Sequence, residues 1–241
     1  MYKKLSALFV LILFSVNVFS QCSAGLVEVR IDVKTDTYAK EGYWELVPAA
    51  NSCGAGTIFA GGNSAVGCNG GSQQNNPNGG YPNNSTIQEG PWCLTQGANY
   101  KIIFVDDYGD GGLTFTVKID GFPLYSGLTG SGANAGTPII FTAEPPPAFD
   151  MSSTTIHLPS YVNIGSIPVS ADFSNRGSTV ITSMDIHYSV DNGATVSSSL
   201  SGLNIDPFTE TNISNTTPWL AMNNGVHTIK TWATNLNGNS T

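Results

Sequence analysis

Residues 26–35, LVEVRIDVKT, alternate strictly: Val27, Val29, Ile31 and Val33 fall on one side, Glu28, Arg30, Asp32 and Lys34 on the other. A period of two with one wet face predicts a strand of an antiparallel sheet. YWELV at 43–47 and TIFA at 57–60 read as the next strands, and NYKIIFV at 99–105 is apolar enough to be a central one. LTFTVKI at 113–119 alternates again and gathers Leu113, Phe115, Val117 and Ile119. The following Asp120–Gly121 is a type I′ hairpin signal, since both central residues of that turn need φ > 0. The chain then returns through 122–126, and TPIIFTA at 137–143 closes this half. Residues 51–90 hold ten Gly and eight Asn in forty positions, which reads as a long surface loop.

EPPPA at 144–148 is a stiff polyproline spacer, dividing the mature chain into a first domain at 21–143 and a second at 149–241. In the second, short strand-like runs fall at 153–158, 166–174, 181–190, 193–200, 207–213 and 225–234, with a hairpin turn at Asn192–Gly193. Turn residues recur every eight to twelve positions, the spacing of a β-sandwich. The expected fold class is therefore all-β, with two β-sandwich domains: a jelly-roll-like N-terminal domain and an immunoglobulin-like C-terminal one. An immunoglobulin-like sheet adds one more strand after GVHTIKTWATN, so the second domain is expected to lack its last strand. Trp232 alternates against Ile229, Thr231 and Ala233 and is expected to face outward, against the first domain or further chain.

The first twenty residues, MYKKLSALFVLILFSVNVFS, are two lysines, an apolar run and a small residue at Ser20, which is the pattern of a secretory signal. The run is too short for a membrane span. Cys22 raises a lipoprotein alternative, against which Gln21 stands where a small residue is needed. Removing the leader takes Lys3 and Lys4 with it, leaving seven basic against seventeen acidic residues and a formal charge of −10. Nucleic acid and anionic lipid both need a basic surface and are excluded as partners.

The four cysteines, Cys22, Cys53, Cys68 and Cys93, form no CxxC, which argues against zinc and redox dithiols. An even number in an exported chain points to two disulfides, with three connectivities open. Cys53–Cys68 with Cys22–Cys93 is favoured, because the first pair closes a loop that needs closing.

FVDDYGDGGLTF at 104–115 concentrates oxygen ligands as no other segment does. Asp106, Asp110 and Gly111 match the first, fifth and sixth positions of the helix-loop-helix calcium motif, but Tyr108 and Val117 occupy its third and twelfth. A looser calcium site would use Asp106, Asp107 and Asp110, a main-chain carbonyl and Asp36 from a neighbouring strand end. The competing reading is a tight turn, with glycines reversing the chain and the aspartates bonding their own backbone.

His157, His187 and His227 are far apart in sequence, and Asp185 with His187 reads as a solvated surface pair. Neither GxSxG, HExxH nor GxxxxGK[ST] occurs. An enzyme would need distant acids such as Glu45, Glu89 and Asp106 to meet in a cleft. Tyr43, Tyr81 and Trp92 are candidates for stacking on sugar rings, with Trp44 and Trp92 as core anchors the competing assignment.

Thr35 to Tyr38, Trp44 to Leu46, Cys93–Leu94 and the stretch from Tyr100 through Gly111 carry a resemblance. Over about residues 26–143 the chain resembles a YGDG-type module of exported multidomain surface proteins of Gram-negative bacteria that use type IX secretion. The Cys-rich continuation usual after YGDG is absent. Ser170 to Gly177, Ile181 to Ser189 and Gly225 to Asn235 are similar to the immunoglobulin-like module that precedes a thioredoxin-like domain in certain outer-membrane proteins. The function expected is a non-catalytic extracellular or cell-surface binding or spacer portion of a larger secreted protein, such as an adhesin, with a surface glycan or protein as partner. The alternative is a carbohydrate-binding accessory module of a secreted hydrolase.

Overall fold

A computed structural model describes residues 22–75, 78–129 and 138–240. Residues 1–20, read above as a secretory signal, and Gln21 lie outside them. The chain divides into two compact units, at Met1–Ala143 and Glu144–Thr241.

The first unit is a sandwich of two four-stranded antiparallel sheets. One has the order β4–β1–β6–β7, from Thr86–Thr95, Leu26–Thr35, Leu113–Ile119 and Phe122–Thr129. The other runs β3–β2–β5–β8, from Phe59–Gly62, Gly42–Pro48, Asn99–Asp106 and Ile139–Thr142. Alternation decides what each sheet buries. Val27, Val29, Ile31 and Val33 of β1 and Leu113, Phe115, Val117 and Ile119 of β6 meet Trp44, Leu46, Ile102 and Phe104 of β2 and β5 in one core. Phe115 packs edge-on against Trp44 and Phe104, adding to the gain from area burial. The Asp120–Gly121 turn has φ of 49° and 86°, as a type I′ turn requires.

Strand β2 is buried on both faces, which explains its lack of polar alternation. Its outer face carries Tyr43, which clusters with Val105, Val66 and the Cys53–Cys68 disulfide. The Gly- and Asn-rich segment is thus more than a surface loop. It supplies β3, a cover for the outer face of β2, and the start of β4. Sequence alternation misses β4 because a bulge interrupts it: Val29 faces Trp92 while Ile31 faces Glu89, so one residue of β1 spans two of β4. Gly90 sits there with φ of +97°, and a Cβ on it would meet the Val29 carbonyl oxygen at 2.9 Å. Cys22–Cys93 ties the chain ahead of β1 to β4.

The second unit opposes two three-stranded antiparallel sheets. These are β14–β11–β9 (Glu210–Ser214, Ser170–Asn175, Met151–Ile156) and β13–β12–β16 (Val196–Ile205, Ile181–Val190, Ile229–Thr234). A ribbon of β10 (Gly165–Ile167) with β15 (Trp219–Ala221) adds to them. Ala171, Phe173, Ile181, Met184, Ile186, Ile205 and Leu236 form the core. The β12–β13 turn falls one residue earlier than the Asn192–Gly193 expectation. Asp191 and Asn192 take the two positive φ values, 51° and 57°, and Gly193 N donates to Val190 O at 2.8 Å. The shift has a cause in the neighbouring chain: Thr228 N donates to the Asp191 carboxylate at 2.8 Å, fixing Asp191 at the first turn position.

Candidate functional site

Two strand pairings build a rim at one end of the first unit. Thr35 at the end of β1 faces Leu113 at the start of β6, and Gly42 at the start of β2 faces Asp106 at the end of β5. The β1–β2 connector, residues 36–41, and the β5–β6 connector, residues 107–112, therefore emerge side by side. Main-chain bonds clamp them: Asp36 N donates to Gly112 O at 3.2 Å and Asp107 N to Glu41 O at 2.9 Å. Gly112 has φ of +119°, and a Cβ on it would lie 3.2 Å from the Asp36 carboxylate, so the missing side chain is what lets the two connectors approach.

Asp106 is fully buried and holds the turn. One carboxylate oxygen accepts from Tyr108 N at 3.0 Å, the other from Gly111 N at 2.6 Å. Asp36 does the same for Tyr38 N at 2.7 Å. To this extent the tight-turn reading describes the loop.

It does not account for Glu41. This residue ends a single 3-10 turn, Ala39–Glu41, and is only 6% exposed. Glu41, Asp106 and Asp110 each offer a carboxylate oxygen within 4.8 Å of the others. Among the described residues no hydrogen bond reaches the Glu41 carboxylate. Burial pushes its pKa above the ordinary 4.5, and Asp106, Asp110 and Asp36 push it further, against a lowering by Lys40.

Of the three aspartates singled out in the sequence, Asp106 and Asp110 belong to this group, with Asp110 on its exposed side. The third member is Glu41 rather than Asp107. Asp107 is buried; its main-chain carbonyl accepts from Gln74 N, and that of Asp106 from Ser72 N, both at 3.1 Å. The Gly- and Asn-rich segment thereby props the aspartate turn from behind.

A second acidic grouping, Glu45 with Cys53 and Cys68, is a clasp. The two sulfurs are bonded to each other, so neither is a thiolate ligand. Buried Glu45 accepts from Tyr43 Oη at 2.5 Å, Gly54 N at 2.8 Å and Thr57 Oγ1 at 3.2 Å. Burial, then Glu45, drives the Tyr43 hydroxyl well above its usual pKa.

The rings considered for sugar stacking serve packing instead. Tyr43 lies under the Cys53–Cys68 loop. Tyr81 Oη donates to Glu89 at 2.7 Å and accepts from Trp44 Nε1 at 3.2 Å, while Trp92 packs on Phe59 at 5.0 Å. Glu45, Glu89 and Asp106 thus belong to three separate hydrogen-bond sets. Tyr38 and Tyr108, each two residues after a rim aspartate, are the exposed rings beside the acids.

In the second unit each histidine has a carboxylate or hydroxyl partner. His157 Nε2 is 2.6 Å from Asp172. His187 bonds Ser197 and Thr234, both at 2.8 Å, and stacks on Trp232 at 5.3 Å. Trp232 is therefore a half-buried member of the outer face, covered by its own sheet neighbour. Asp185 accepts from Asn235 at 3.1 Å, so it and His187 have separate partners. Tyr161, Ile164, Trp219, Val226 and His227 border a groove of about 380 Å³.

The chain matches no protein-family model, no curated protein and no solved structure. Among the described residues no helix is long and apolar enough to cross a membrane.

Proposed function

We propose that the chain is a non-catalytic, extracellular or cell-surface portion of a secreted protein, in which the first unit binds and the second acts as a spacer. The observation that carries this reading is the gathering of Asp36, Glu41, Asp106 and Asp110 onto two connectors at one rim of the sandwich. Recognition residues concentrate on loops that a scaffold holds in place. Two disulfides support an oxidising compartment, and with the leader they favour export, by the type IX route that the sequence resemblance implies. The partner in this reading is a surface glycan or protein.

The test is binding of the labelled chain to glycan arrays and to bacterial and host cell surfaces, beside a D36N/D110N double variant. Saturable binding that the double variant loses supports the reading. Equal binding by both proteins, or silence on every surface, overturns it. The carbohydrate-module reading now rests on exposed Tyr38 and Tyr108, and the array arm separates it: it requires glycan signal that Y38A and Y108A both reduce.

A further inference from the structure

The geometry points to a divalent-cation site formed by Glu41, Asp106 and Asp110, with calcium as the ion it fits. Carboxylates placed this close repel one another unless a proton or a cation lies among them. What selects a cation is Glu41. The residue is only 6% exposed, its carboxylate meets no donor among the described residues, and one of its oxygens lies within 4.8 Å of those of Asp106 and Asp110. No donor relieves that crowding, and Glu28 Oε2 is the one side-chain oxygen among the described residues that is buried without a partner, so the Glu41 oxygens stay open to an ion from solvent. A carboxylate held beside two others, in a turn already closed by main-chain bonds, has the arrangement of a cation ligand.

The donor set names the kind of ion. All three donors are carboxylate oxygens, with neither histidine nor thiolate, which selects hard cations over zinc or copper. Asp106 spends one lone pair of each oxygen on Tyr108 N and Gly111 N and keeps others free, since a carboxylate has about four acceptor sites. Glu41 and Asp110 add up to two oxygens each, and Asp36, against Gly112, stands next to them. Calcium takes six to eight oxygens in adaptable geometry, whereas magnesium holds to an octahedron rich in water. Several carboxylates on glycine-bearing connectors suit the former. The inference deepens the binding reading at the same rim, where a bound ion would set the connectors' shape for a partner.

The experiment is calorimetric titration of the EDTA-stripped, disulfide-intact chain with calcium chloride alone. It is paired with terbium luminescence excited through tyrosine, for which Tyr38 and Tyr108 are placed. The expected result is one saturable event, terbium emission reversed by calcium, and a raised melting temperature. D110N and E41Q should each weaken calcium by about tenfold or more, while D206N in the second unit changes nothing. Asp110 is exposed, so D110N keeps the fold even where E41Q perturbs it. No heat and an unchanged melting temperature with calcium overturn the inference, as does calcium binding that D110N and E41Q leave intact. Because no macromolecular ligand takes part, calcium binding combined with silence on every surface would reject the recognition reading alone.

Discussion

Tyr43 and Glu45 sit two apart on β2, and the phenol donates to the carboxylate at 2.5 Å on the face of the strand away from the main core. The same carboxylate receives Gly54 N and Thr57 Oγ1, so one buried acid fastens the Cys53–Cys68 loop to the sheet. E45A would leave a buried hydroxyl and a backbone N–H without their acceptor. A loss of about 3 kcal/mol is expected from unsatisfied donors, measured by urea unfolding. E45Q, which keeps one carbonyl oxygen, should lose about half as much. Wild-type stability in E45A would show that the clasp holds nothing.

Asn175 is the corresponding fastener in the second unit. It is wholly buried, its amide donates to Thr179 O and Ile205 O, each at 2.9 Å, and its carbonyl accepts from Gly177 N at 3.0 Å. N175A should cost about 3 kcal/mol. N175D should cost more, because it turns a carboxylate toward two carbonyl oxygens. Thermal melts in which N175D matches wild type would contradict this.

The disulfides close loops of different length, with sequence separations of 71 and 15. Loop entropy assigns about 4.4 kcal/mol to Cys22–Cys93 and about 3 kcal/mol to Cys53–Cys68. The C22S/C93S pair is therefore expected to melt lower than C53S/C68S. The reverse order by calorimetry would mean that the cover over β2 outweighs chain entropy.

His227 presents both ring nitrogens to acceptors, Nδ1 to Asp191 at 2.7 Å and Nε2 to Asn223 O at 3.3 Å. Imidazolium alone donates from both. The bond to Asp191 and then that to Asn223 raise His227 above its ordinary 6.5, and the bond from His227, then that from Thr228 N, lowers Asp191 below 3.8. The histidine's contribution to stability is complete below pH 6.5 and disappears as pH rises through the raised folded value. The aspartate's is complete above pH 3.8 and disappears as pH falls through the lowered one. The pair therefore acts fully between about pH 4 and 6.5. NMR titration should place His227 above 6.5 and D191N should bring it down. A midpoint unmoved by D191N would remove the linkage.

Strands that bury one face were legible in the sequence. LVEVRIDVKT and LTFTVKI alternate because one side meets the core, and they appear as β1 and β6. β2 and β4 were harder, for opposite reasons: β2 is covered on both faces and β4 carries a bulge where the period resets. At the rim, the aspartates of YGDG stood out by local density, while Glu41 did not. It lies 65 positions before Asp106 and joins it through the β2–β5 pairing, a contact that composition cannot register. The available signal was the short connector between alternating β1 and apolar β2: a six-residue link ending in an acid, beside a second link rich in acids. The same limit explains Trp232, whose outward position followed from alternation but whose cover, His187, required the β12–β16 register.

The placement of β1 also governs how a nascent chain assembles. It is flanked by β4 and β6, so the first of the described strands gains one partner only at Thr86–Thr95 and the other at Leu113–Ile119. Closure of that sheet therefore depends on encounters between segments distant in the chain, which slows folding.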